Sequence, residues 1–117
     1  MLVLVVEDEA SIREIYTEIL QMKGAEVVVA SDATEGLELL KEHSPDSVIS
    51  DLNMPGMDGW ALLQEVNKIS PECNRILITG CVMDDDRVVA AQKDGVKVFF
   101  KPSGATSGLD AAIEIPN

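Results

Sequence analysis

The stretch Leu2-Val3-Leu4-Val5-Val6, followed at once by Glu7-Asp8-Glu9, decides the fold. Five apolar residues with no polar alternate describe a strand covered on both faces, and such strands belong inside sheets that carry helices above and below. The acids mark its carboxyl end. Val27-Val28-Val29-Ala30, Ser47-Val48-Ile49-Ser50, Arg75-Ile76-Leu77-Ile78-Thr79 and Val96 to Phe100 read as four further strands. Between the first two, Ile12, Ile15, Ile19 and Met22 recur as one stripe of a helix, with Gly24 placed for a left-handed cap. Asp32 with Glu35 predicts a capping box, opening a helix whose inner stripe is Ala33, Leu37 and Leu40. A turn-rich segment from Asn53 to Gly59 leads into a third helix on Leu62, Val66 and Ile69. Asp84 to Asp86 open a fourth around Val88 and Ala91, since acids favour the positive end of a helix dipole. A short fifth, about 108–115, is expected around Leu109, Ala112 and Ile113, poorly started because Gly104 and Gly108 lie ahead of it.

Five strands alternating with five helices predict an α/β fold, a parallel sheet covered on both sides. Ligands of such sheets gather beyond the carboxyl ends of the strands, where strand order reverses. With 117 residues and 46% apolar content, one domain over 1–117 is expected. Nine basic residues against 21 acidic ones give a net charge of −12, which repels phosphate backbones and anionic headgroups. Direct nucleic-acid or membrane-surface binding by this chain is therefore not expected. The run Met1 to Val6 is too short to span a bilayer and lacks a basic leader and a cleavage site, so no signal peptide is read. Cys73 and Cys81 flank a strand, about 20 Å apart at roughly 3.3 Å per residue, too far for a disulfide. A reduced, cytoplasmic protein without a structural zinc site follows.

The strand ends carry the chemistry. Glu7, Asp8 and Glu9 follow the first strand, Asp51 follows the third, Thr79 ends the fourth, and Lys101-Pro102 follows the fifth. Glu7, Asp8 and Asp51 gathered together total −3, and Lys101 brings that to −2. Like charges so close raise one another's proton affinity. A divalent cation closes the sum, and an all-oxygen donor set suits Mg²⁺, which commonly escorts phosphoryl groups. Thr79 and Lys101 complete a clamp, one with a neutral hydrogen bond and one with a charge-assisted bond. No glycine-rich phosphate loop and no histidine belong to this set, so a resident nucleotide or flavin is not expected. The group that would take a phosphoryl is a carboxylate, giving an acyl phosphate on the protein itself.

These residues resemble the receiver domain of a two-component response regulator. Glu7-Asp8 matches the family's acidic pair, and Asp51-Leu52-Asn53-Met54-Pro55-Gly56-Met57-Asp58-Gly59 matches its phosphoacceptor loop. Thr79-Gly80 and Lys101-Pro102 match the remaining signatures in order, so the likeness runs from about Leu2 to Pro102. It implies a doubly wound (βα)5 flavodoxin-like sandwich with strands in the order 2-1-3-4-5. It implies that Asp51 receives a phosphoryl group from a sensor histidine kinase or phosphotransfer protein, with Thr79 and Lys101 on the phosphoryl oxygens. Direct Mg²⁺ ligation by Asp8, Asp51 and the main-chain carbonyl of Asn53 is implied, with Glu7 acting through water. The chain would then be a signalling module rather than an enzyme, assisting only its own phosphorylation and autodephosphorylation. Output, or homodimerisation, would use the face built from the fourth helix, fifth strand and fifth helix.

The chain departs from the family at particular positions. Val98 stands three residues before the lysine, where the family has Phe or Tyr, and Gly95 to Lys101 is one residue shorter than usual. Phe99 or Phe100 would take that place only if the strand shifts, and a one-residue slip exchanges faces. Ser103 stands where the family has Phe. Cys81 and Asn53 are expected at the rim of the site. Singly, each site residue has an ordinary reading: solvated caps for Glu7-Asp8, a turn former for Asp51, a β-branched strand residue for Thr79. His43 reads as a solvated loop residue, and Tyr16 and Trp60 as packing. Three rival functions differ in stated residues. A haloacid-dehalogenase-type phosphohydrolase needs Asp-x-Asp after the first strand. A flavodoxin-like carrier needs a Ser/Thr/Gly phosphate loop there, and a degenerate receiver would lack part of the acid, hydroxyl and amine set.

Overall fold

The computed structural model describes residues 1–102 and 104–114; Ser103 and Ile115 lie outside them. Strands β1 (Leu2–Val6), β2 (Glu26–Ala30), β3 (Ser47–Ser50), β4 (Asn74–Thr79) and β5 (Lys97–Phe100) form one sheet in the order β2-β1-β3-β4-β5. Every pairing is parallel. The intervening helices are α1 (Ala10–Met22), α2 (Ala33–His43), α3 (Gly59–Ile69), α4 (Asp86–Lys93) and α5 (Ala105–Ile113).

The period of two in a strand splits β1 between two cores. Val3 and Val5 pack with Tyr16, Leu20, Ile49, Ile76, Ile78 and Leu109 on the side of α1 and α5. Leu4 and Val6 pack with Leu40, Leu62, Leu63, Val66, Leu77 and Val88 on the side of α2, α3 and α4. Sheet and helices thus match the doubly wound sandwich implied by the resemblance.

The helix phases differ in places from the sequence pattern. In α1 the buried residues are Tyr16 and Leu20, while Ile15 is 53% and Met22 86% exposed. Residues 15 and 16 both lie one turn beyond Ile12, and the larger ring takes the inner place. Leu63, rather than Ile69, completes the inner stripe of α3. The α2 cap holds: the Asp32 carboxylate accepts from the Glu35 amide at 2.8 Å, and the Glu35 side chain accepts from the Ser31 amide at 2.9 Å. Helix α5 begins three residues earlier than expected, so Gly108 lies inside it. A Cβ at Gly108 would sit 2.7 Å from Ile78 Cδ1, so this glycine permits close packing on β4 rather than delaying the start of the helix. The far end of α5 is held by the sheet. The Ser47 hydroxyl donates to the Ala112 carbonyl, and the Asn74 side-chain Nδ2 donates to that of Ala111 at 3.0 Å.

Cys73 and Cys81 are both free thiols. No helix among the described residues is long and apolar enough to cross a membrane.

Candidate functional site

Strand β1 pairs with β2 on one side and β3 on the other, Val6 lying opposite both Ala30 and Ser50. This is the point of strand-order reversal, and it sets the residues just beyond β1 beside Asp51. One carboxylate oxygen from each of Glu7, Asp8 and Asp51 falls within 4.8 Å of the other two. On the opposite flank Thr79 pairs with Phe100, and the Lys101 amide donates to the Thr79 carbonyl at 2.8 Å, extending the ladder by one residue. The Lys101 side chain then reaches back across the strand ends. Its Nζ lies 3.5 Å from Asp51 Oδ2 and 3.7 Å from Glu7 Oε2. The Lys101–Pro102 peptide is cis.

The loop after β3 is built around the Asp51 backbone. The Leu52 amide donates to Asp51 Oδ1 at 2.8 Å, so that amide and Lys101 between them fix the carboxylate plane. The Ser50 hydroxyl donates to the Asp51 carbonyl at 2.8 Å, and the Gly59 amide to the Leu52 carbonyl at 2.8 Å. A Cβ at position 59 would come within 2.0 Å of the Asp51 carbonyl oxygen, so only glycine lets α3 start this close. Asp58 caps that helix by accepting from the Ala61 amide at 2.9 Å, as its place before Gly59 predicts. Trp60 is half-buried against the α3 core.

Thr79 is fully buried, and its hydroxyl oxygen accepts from the Cys81 amide at 3.1 Å. Asn53 and Cys81 meet at the rim, where the Asn53 amide donates to Cys81 Sγ at 2.9 Å. Phe99 packs on the α1–α5 side, while Val98 and Phe100 pack on the α4 side. The aromatic ring on the α4 face of β5 is therefore Phe100, immediately before the lysine. Val98 itself pairs with Leu77.

Burial changes the charge count. Glu7 is 1% exposed, and desolvation pushes its carboxyl up to about 7, against the lowering pull of the Glu9 amide and Lys101. The Asp51 charge adds to the rise. Burial also pulls on Lys101, but the Asp51 and Glu7 carboxylates outweigh it and hold the ammonium above its ordinary value. Near neutral pH and without a cation, the acids thus carry less than the three negative charges that the sequence suggests.

The donor set fits a small hard cation. Carboxylate oxygens of Asp8 and Asp51 within 4.8 Å of each other can sit on one octahedral ion, whose ligands lie about 3–4 Å apart, and Glu7 is close enough to hold a water of that ion. A pH dependence follows from Glu7. With its carboxyl raised from 4.5 to about 7, the folded chain binds more protons than the unfolded chain between those values. Stability in chelator then falls as pH rises through that window, by an amount on the order of 2–3 kcal/mol. Saturating Mg²⁺ offsets the fall by binding the folded state alone. Urea-denaturation midpoints from pH 5 to 8, with chelator or with Mg²⁺, check this; a midpoint in chelator that rises with pH would refute it.

Three contributors escape the sequence reading. Arg13 Nη1 donates to the Glu7 carbonyl at 2.6 Å and fixes the turn out of β1. Tyr16 is buried in the core, as its reading as packing predicts, and what that reading lacks is its place in a shallow apolar groove with Lys101 and Pro102 beside the site. Arg87 reaches Asn53 Oδ1 at 3.3 Å from the start of α4. Its one signal in sequence is a lone basic residue directly after Asp84-Asp85-Asp86.

Residues 3–114 match the response regulator receiver domain family. The chemotaxis protein CheY of Bacillus subtilis is 37% identical over 111 residues, covering 93% of this chain and 92% of that protein. The ycf27 protein of Guillardia theta is 40% identical over 100 residues, covering 86% of this chain but only 39% of that protein. The chain thus spans nearly all of one relative and about two-fifths of the other. A response regulator receiver domain protein from Clostridium thermocellum superposes with a TM-score of 0.84 at 34% identity, covering 96% of this chain and 93% of that one.

Proposed function

This chain belongs to the response regulator receiver domain family, and on that premise we propose that Asp51 is the residue that accepts its phosphoryl group. The observation that carries the proposal is the position of the Lys101 ammonium, 3.5 Å from Asp51 and 3.7 Å from Glu7, across from a cluster of three acids. An Asp51 carboxylate oxygen attacks the phosphorus of a phosphohistidine on a sensor kinase or phosphotransfer protein. The P–N bond breaks, and its electron pair returns to the imidazole.

Asp8, Asp51 and the Asn53 carbonyl would hold Mg²⁺ directly and Glu7 through water. When bound, the ion supplies positive charge to the phosphoryl oxygens. Lys101 meets one of those oxygens with an ammonium already in place, and the buried Thr79 hydroxyl donates to another. The Leu52 amide keeps the carboxylate from turning during attack. Movement of Thr79 toward the phosphoryl group draws the loop that leads into α4 with it through the Cys81 amide, altering the α4–β5–α5 face used for output or for homodimerisation. Water returns Asp51 to its free state by autodephosphorylation. The chain serves as one receiver unit in the cytoplasm.

The test is incubation with a small acyl-phosphate donor. The protein should gain one phosphoryl group only when Mg²⁺ is present, and the linkage should survive acid but not alkali or hydroxylamine. A label that resists hydroxylamine would place the phosphoryl on a hydroxyl group and refute the reading.

A further inference from the structure

The side chain of Arg87, the second residue of α4, is only 36% exposed because it is spread across two loops. Its Nε donates to Asp85 Oδ1 at 3.2 Å, and Nη2 lies 3.1 Å from Asp85 Oδ2. Nη1 lies 3.4 Å from Asp58 Oδ2, while Nη2 also donates to Asn53 Oδ1 at 3.3 Å and approaches Cys81 Sγ at 3.9 Å. Asp58 and Asp85 are the N-caps of α3 and α4. Asn53 stands two residues after Asp51 and Cys81 two after Thr79, and their side chains bond to each other at 2.9 Å. One guanidinium therefore joins both helix starts and both rim residues, which needs a planar fork of donors.

We infer that Arg87 is a positioning residue that sets how long the phosphorylated state lasts, by holding Asn53 and Cys81 closed over the mouth of the site. The inference rests on the assignment of Asp51 as phosphoacceptor. Loss of the phosphoryl group is attack of a water oxygen on phosphorus: the bond from phosphorus to the Asp51 oxygen breaks, the carboxylate leaves, and inorganic phosphate and one proton go to solvent. The inner walls are closed to that water, because Glu7 is 1% exposed and Thr79 fully buried. The exposed parts of the site are Asp8, on the side where the cation would sit, and the rim at Asn53, which is the side left open to water once the cation is held. With Arg87 gone, Asn53 keeps only its bond to a thiol and swings outward, and water reaches phosphorus more often. Partly exposed ion pairs are individually weak, so the change is several-fold rather than a complete loss.

The experiment labels the chain with an acyl-phosphate donor and Mg²⁺, removes the donor, and follows the decay of the acyl phosphate. Arg87→Gln should still accept the label but shorten its half-life about 5-fold, and Arg87→Lys, which cannot reach all four partners, should fall between. In an Asn53→Ala background, which keeps the main-chain carbonyl, the effect of Arg87→Gln should shrink to less than about 2-fold, because the group it acts through is gone. A half-life unchanged in both Arg87 variants overturns the inference, as does the same shortening with or without the Asn53 side chain. If Arg87→Gln fails to fold by circular dichroism, the Arg87→Lys comparison in the two backgrounds decides. A parent chain that takes no label at all removes the Asp51 assignment and this inference together, whereas a labelled chain indifferent to Arg87 removes the inference alone.

Discussion

Asp51→Asn should lower phosphoryl incorporation from a small acyl-phosphate donor by a factor on the order of 10³ or more, down to background. The amide keeps the size of the side chain and can still accept from the Leu52 amide, but its remaining heavy atom is a nitrogen whose lone pair is delocalised. The substitution also replaces a carboxylate 3.5 Å from Lys101 by a neutral group. That removes one source of the raised Glu7 value, since Asp51 pushes it up. The variant should therefore fold, bind Mg²⁺ more weakly and take no label. Intact-protein mass after incubation reads the outcome, and full incorporation into Asp51→Asn would place the acceptor elsewhere.

Lys101→Ala should separate charge neutralisation from cation binding. The ammonium lies within 3.7 Å of both Asp51 and Glu7, and in the proposed function it would meet a phosphoryl oxygen. Removing one such preorganised donor costs about 10²–10³ in rate. Mg²⁺ should bind at least as tightly as in the parent, because the acids lose their competing cation. The initial rate of labelling and a Mg²⁺ titration followed by Trp60 fluorescence read the two effects separately. Labelling at the parental rate, or a loss of Mg²⁺ binding in step with the rate, would contradict the assigned role.

What the sequence makes legible is what the backbone alone controls. Apolar runs mark β1 and β4, and residues at the carboxyl ends of parallel neighbours must share an edge, so the sequence pattern alone places Glu7, Asp51, Thr79 and Lys101 together. The α1 phase is not legible in this way. Ile15 and Tyr16 satisfy the same helical spacing, and only the presence of α5 and the sheet selects the ring. The state of Glu7 is hidden for a related reason. A carboxylate beside another carboxylate reads as solvated, and its burial is a property of Lys101 and α1 closing over it. Arg87 is the clearest omission, because its partners Asn53, Asp58 and Asp85 come together through the loops after β3 and β4. The Val98 departure resolves through register: Thr79 lies opposite Phe100, so an aromatic ring does sit on the α4 face, two residues nearer the lysine than the family pattern places it.

Acceptance of the phosphoryl group by Asp51, with Glu7, Asp8 and Lys101 gathered around it, is tested most directly by trapping the acyl phosphate chemically. Tritiated borohydride reduces an aspartyl phosphate at the acyl carbon, releasing phosphate and leaving a labelled alcohol on the side chain. After phosphorylation with Mg²⁺, tritium should appear at position 51 alone and be absent when Mg²⁺ is chelated. Tritium at Asp8 or Asp58, or at position 51 regardless of the cation, would contradict the account.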